Sequence, residues 1–215
     1  MDKETVKKAI EELKKSNKRN FTQTFDLILV LKNLNLKKPE DQVDFFQTLH
    51  FPAKKAKVCG LVGAELAGQA KEVFDTAINV DDFPKYVKDK KGLKKLAKEH
   101  DFFVAQATIM PKVATTFGKV LGPIGKMPNP KAGCVVPPNA NLKPLAERLH
   151  KTVKVVAKTI PMIQVAVGKE DSKEEDIIDN VLTVYDGLIH HLPSGKNNIR
   201  KVLLKLTMSK PIKLE

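Results

Sequence analysis

Val153-Lys154-Val155-Val156-Ala157-Lys158-Thr159-Ile160, followed by Met162-Ile163-Gln164-Val165-Ala166-Val167, is the stretch on which the architecture turns. Both halves are dense in β-branched residues and short enough to be strands, so two strands follow one another here. What precedes them has a different grammar. From about Lys57, short apolar runs alternate with helical patterns: strands at 58–62, 76–80, 102–107 and 134–136, and helices at 66–74, 93–99, 110–121 and 142–149. That alternation predicts a mostly parallel sheet flanked by helices and joined by right-handed crossovers, Rossmann-like in outline.

Before Lys57 the grammar is again that of the quoted stretch. Val6, Ile10 and Leu13 fall on one side of an amphipathic helix over residues 4–15. A long strand follows from Phe21 to Leu31, with Phe21, Phe25, Leu27, Leu29 and Leu31 on one face and Thr22, Thr24 and Asp26 on the other. Residues 43–51 give a second strand, expected to pair antiparallel with the first. After residue 167 comes a helix with Ser172 as its N-cap, and a last strand over 200–208. Neither end of the chain can close a core alone. The expected fold class therefore combines α/β and α+β: a discontinuous, sandwich-like α+β outer domain from residues 1–55 plus 153–215, with residues 56–152 inserted as a Rossmann-like α/β domain.

Lys and Arg outnumber Asp and Glu by 38 to 25 in the 215 residues, a net charge of +13 that favours a polyanionic partner. The excess is +4 over residues 1–55, +7 over 56–152 and +2 over 153–215, so charge alone divides the affinity evenly between the domains. Placed contacts, not summed charge, confer specificity. With no apolar run of the roughly 18 residues a membrane span needs and a mixed-charge start, Met1-Asp2-Lys3-Glu4-Thr5, a cytoplasmic protein without a membrane partner is expected. Cys59 and Cys134 read as buried, reduced thiols.

Catalytic signatures are sparse. Gly122-Pro123-Ile124-Gly125-Lys126-Met127-Pro128-Asn129-Pro130-Lys131-Ala132-Gly133 is too rich in Gly and Pro for regular structure and reads as a loop. Its Gly-Lys pair invites comparison with a phosphate-binding loop, but Val120 and Met127 stand where a Walker loop needs glycine and a hydroxyl. Gly60-Leu61-Val62-Gly63 lacks the third glycine of a dinucleotide site. His50, His100, His150, His190 and His191 show no metal-ligand spacing, and there is no nucleophile elbow. No catalytic residue, metal or cofactor is assigned. The alternative, an α/β enzyme binding a nucleotide or other phosphorylated substrate, rests on the Rossmann-like grammar and the Gly-Lys pair alone.

The outer strands carry the binding signal. Lys201, Leu203, Lys205 and Thr207 share one face of the last strand, with Val202, Leu204, Leu206 and Met208 on the other. The first strand opens with Lys18-Arg19-Asn20-Phe21, where cations can hold a phosphate backbone and an aromatic can pack on a base or ribose.

Residues 117–133, with the loop at their centre, resemble the signature of the family of large-ribosomal-subunit protein one, the L-one protein of the mobile side stalk. Val165-Ala166-Val167-Gly168-Lys169, the Leu206-Thr207-Met208 end of the last strand and the order of elements extend the resemblance over essentially the whole chain, and the lysine-rich helices look archaeal. The resemblance implies a ribosomal, cytoplasmic, RNA-binding protein, monomeric when free. Its implied partners are the stalk region of large-subunit ribosomal RNA, deacylated transfer RNA leaving the exit site, and its own messenger, which it represses. By matching motif the implied RNA contacts are Phe21, Gly168 and Lys169 in a loop after the fourth outer strand, Thr207 and Met208; the charged pattern of the outer strands adds Arg19 and Lys205, and Ser209 completes the expected set. Ser209 stands where the family usually has glycine, a side chain that would obstruct close backbone approach. Lys126 and Lys131 of the loop are expected as secondary RNA contacts.

Overall fold

A computed structural model describes residues 2–16 and 19–214; Lys18, the first of the expected basic run, lies outside them. The chain forms two compact units, one from residues up to Lys54 and from Lys151 onward, the other from Lys55–His150. In chain order the first unit begins with α1 (Lys3–Ser16), β1 (Thr24–Leu31) and β2 (Val43–Thr48). The second contains β3 (Val58–Val62), α2 (Ala67–Val73), β4 (Thr76–Asn79), α3 (Phe83–Lys88), α4 (Lys90–Glu99), β5 (Phe102–Gln106), α5 (Met110–Ile124), β6 (Val135–Val136) and α6 (Leu142–His150). The first is then completed by β7 (Thr152–Ala157), β8 (Met162–Lys169), α7 (Glu174–His191), β9 (Ile199–Leu206) and β10 (Ile212–Lys213).

In the first unit, strict alternation puts Phe25, Leu27, Leu29 and Leu31 of β1 into the core, with Val202, Leu204 and Leu206 of β9 beside them. These strands form an antiparallel sheet of order β10-β9-β1-β8. Its inner face is covered by α1, through Val6, Ala9, Ile10 and Leu13, and by α7, through Ile177, Val181, Val184, Tyr185 and Leu188. β2 does not pair with β1 as its position in the chain suggested. It pairs with β7, placing Val43 against Ala157 and Phe45 against Val155. Both edges of β1 are taken, by β8 and β9, and residues 32–42, with Asn33 at φ 58° and a 3-10 turn at Pro39–Asp41, form no tight hairpin turn.

Three local expectations for this unit are corrected. β1 begins at Thr24, its last rung opposite Lys169, and Phe21 precedes the ladder. Ser172 does not cap α7: the cap position is Lys173, and the Ser172 N–H closes a turn on the Lys169 carbonyl at 3.1 Å. The dipole of α7 is met by Glu174, Glu175 and Asp176 in its first turn. β9 stops at Leu206, so Thr207 and Met208 lie in a turn.

The second unit is a parallel sheet of order β4-β3-β5-β6. All five residues of β3 are buried, as expected for a strand covered on both faces. Gly60 permits that cover, because a Cβ there would meet Phe74 Cδ2 at 2.6 Å. The glycine–proline segment is not wholly loop. Gly122, Pro123 and Ile124 form the last turn of α5, and Gly125, at φ 70°, ends it. The Lys126 N–H bonds Leu121 O at 3.0 Å and the Gly125 N–H bonds Gly122 O at 2.9 Å, a Schellman closure that tolerates the missing Pro123 donor.

Ligands of open parallel sheets bind where the strand order reverses, here between the ends of β3 and β5. That point is filled by the protein itself. Gln106 is buried, its Oε1 accepts the Gly63 N–H at 2.9 Å, and its Nε2 donates to Glu65 at 3.0 Å.

Candidate nucleic-acid interface

Antiparallel pairing of β1 with both neighbours brings three segments distant in sequence to one end of the sheet. The start of β1 lies beside the end of β8, with Thr24 opposite Lys169, and beside the end of β9, with Phe25 opposite Leu206. The segment carrying Arg19 and Phe21, the turn from Lys169 to Asp171 and the turn from Thr207 to Ser209 therefore converge. Phe21 is 52% exposed and Met208 60%. Two large apolar side chains thus stand in solvent where burial would normally favour them. Arg19, Phe21, Glu170 and Asp171 line a shallow open depression there.

Thr207 extends the ladder with its side chain. Its Oγ1 accepts the Thr24 N–H at 3.1 Å and lies 3.4 Å from the Thr24 carbonyl, which accepts its proton. A hydroxyl oxygen has two lone pairs, so one acceptor position remains for an outside donor. Ser209 belongs to the same turn: its Oγ accepts the Leu206 N–H at 2.8 Å and donates to the Lys210 carbonyl at 3.0 Å. The turn needs no left-handed residue, since Asn33 is the only non-glycine with positive φ among the described residues. The serine in place of glycine is thus part of the turn.

Lys169 is exposed, whereas Gly168 is buried. Gly168 is not in a loop but in β8, opposite Phe25, and a Cβ on it would meet Ile177 Cγ1 at 2.8 Å. The expected loop position of Gly168 is therefore corrected: it lies within the strand, where the missing side chain lets α7 approach the sheet. Lys205 is half-buried beside Asp26, its partner in register. Burial raises the Asp26 pKa, opposed by the Lys205 charge and a hydrogen bond from Gln164, so part of the lysine's field is spent within the protein.

The secondary contacts both lie in the other unit. Lys131 is exposed. Lys126 is turned inward, its Nζ donating to Ala97 O at 2.9 Å and His100 O at 2.7 Å at the C-terminal end of α4. The end of a helix attracts a cation, and the ammonium is directed there in this structure.

Neither cysteine is a ready nucleophile. The Cys59 thiol is pushed up to about 12 and the Cys134 thiol to about 11, both by burial. Among the described residues no three His, Cys, Asp or Glu side chains gather as a metal ion would require, and no helix is long and apolar enough to cross a membrane.

The sequence pattern of the ribosomal protein L1p/L10e family matches residues 13–210. The chain belongs to this family. It is similar to the large ribosomal subunit protein uL1 of Methanothermococcus thermolithotrophicus, with 41% identity over the full length of both chains. The protein of the same name from Methanocaldococcus jannaschii is 40% identical over all of this chain and 97% of its own. That of Nanoarchaeum equitans is 40% identical over 95% and 97%. Family membership makes this a ribosomal protein of non-enzymatic type, and the mixed α/β fold agrees with it.

Proposed function

We propose that this large-subunit protein binds the side-stalk region of ribosomal RNA through the end of the β8-β1-β9 ladder. One observation carries the reading: antiparallel pairing brings the segment of Arg19 and exposed Phe21 to the same end of the sheet as Lys169 and exposed Met208, both distant from it in sequence. Exposed aromatic and thioether side chains suit the flat faces of splayed bases and riboses, and the flanking cations suit phosphates. The same surface, on the strength of the family resemblance, binds the corresponding structure in the protein's own messenger and represses its translation. On the ribosome the protein aids departure of deacylated transfer RNA from the exit site.

Titration of the full-length protein against a stalk fragment and a scrambled RNA of equal length tests the central claim. Phe21→Ala is expected to cost about 1–3 kcal/mol on the stalk fragment, the usual scale of a lost stacking partner. Lys169→Ala should lower the salt slope by about 1. Equal affinity of wild type for the two RNAs refutes the reading. Repression is checked by translating a reporter fused to the protein's own leader with and without added protein.

A further inference from the structure

Gln23 is completely buried, although it lies two residues from exposed Phe21 and just before the ladder begins. A buried amide is retained only where its polar atoms are bonded. Its Oε1 accepts the Met208 N–H at 3.2 Å. Its backbone N–H donates to Glu170 Oε2 at 3.3 Å, and its carbonyl accepts the Glu170 N–H at 2.9 Å. One residue thus fastens the turn after β8 and the turn after β9 to the segment that carries Phe21.

We propose that Gln23 is a positioning residue for RNA recognition, fixing the Met208 backbone relative to Phe21 so that the two exposed side chains are presented at one spacing. The proposal rests on the RNA-binding reading above. Each residue of the turn has its own tether. Thr207 is held by its side chain on Thr24, and Ser209 by its hydroxyl on Leu206 and Lys210. Between them, the Met208 N–H is bonded to the Gln23 amide oxygen, while the Met208 side chain stays in solvent. Without that acceptor the N–H must find water or turn away, and either shifts the thioether. A recognition surface that is already ordered loses less entropy on binding.

Gln23→Met keeps length and apolar volume but removes the acceptor, whereas Gln23→Glu keeps an oxygen at the same place. In titrations of the full-length protein, Gln23→Met is expected to weaken binding to the stalk fragment about tenfold, leaving the salt slope and the affinity for scrambled RNA unchanged. Gln23→Glu should recover most of the loss. Amide hydrogen exchange on the wild type without RNA should find the Met208 N–H protected, and Gln23→Met should remove that protection. Wild type binding both RNAs equally would defeat the RNA-binding reading and this proposal with it. Selective wild-type binding that Gln23→Met leaves intact, or weakens equally for both RNAs, overturns the positioning role alone. An unprotected Met208 amide in the wild type does the same, and needs no variant to fold.

Discussion

Lys126→Met separates a structural lysine from an RNA-contacting one. The substitution keeps the aliphatic stem and removes the ammonium, which reaches two carbonyls, Ala97 O at 2.9 Å and His100 O at 2.7 Å. Both belong to the end of α4, whose last carbonyls have no intrahelical donor. A hydrogen bond to a charged group contributes about 1.5–3 kcal/mol when buried. Lys126 is only half-buried, so water can replace part of what it gives, and the two bonds together are expected to be worth about 2 kcal/mol. For a unit of this size that corresponds to a fall of roughly 8–10 °C in the melting midpoint. The assay is thermal unfolding followed by calorimetry, where the two units can be resolved as separate transitions, together with salt-dependent binding to the stalk fragment. The expected result is a lower transition for the unit containing Lys126 and an unchanged salt slope. An unchanged melting profile with a slope reduced by about 1 would show that the ammonium leaves α4 for a phosphate, and the capping argument would fail.

Three further outcomes follow from the same contacts. Gly168→Ala forces a methyl to within 2.8 Å of Ile177 Cγ1 and should destabilise the sheet–α7 packing by about 1–3 kcal/mol in denaturant unfolding; no change would mean that α7 yields freely. Asp26 has a pKa raised above 3.8 in the folded state, chiefly by burial, so its stabilising contribution is full below the unfolded value and is lost as pH rises through the folded one. Asp26→Asn should accordingly gain on wild type between pH 3 and pH 7, and a gap that shrinks over that range contradicts the sign. Cys59 and Cys134, at about 12 and about 11 and both buried, should resist a thiol reagent at pH 8 until denaturant is added; rapid labelling of the native protein would count against their burial.

Parts of this surface are legible in the sequence for a local reason. The alternation in residues 25–31 and 201–206 is imposed by the pleat, and any strand built from those residues must divide them as β1 and β9 do. Phe21 keeps the same parity, yet the pairing ends at Thr24, because a ladder stops where its partner turns away and not where a pattern stops. Gln23 also keeps the parity of the buried residues. A polar side chain at an inward position is a signal that the alternation itself carries, and it marks the residue that ties the turns together. The inward turn of Lys126 has no such signal. Whether a loop lysine faces solvent or a helix end depends on where that helix ends in space.

Residue order alone settles the kinds of layer, because hydrophobic period is a property of neighbouring residues: an antiparallel sheet with helices at both ends of the chain, and a parallel sheet between them. It also settles the family, through residues 117–133 and the Thr207-Met208 pair. Three outcomes come from the folded chain instead: β2 joins β7, Gln106 fills the switch point, and Phe21, Lys169 and Met208 meet at one end of a sheet. They depend on pairing between segments up to 185 positions apart, as Gln23 and Met208 are. Contacts of that range are set by how whole elements pack, and local propensity does not contain them.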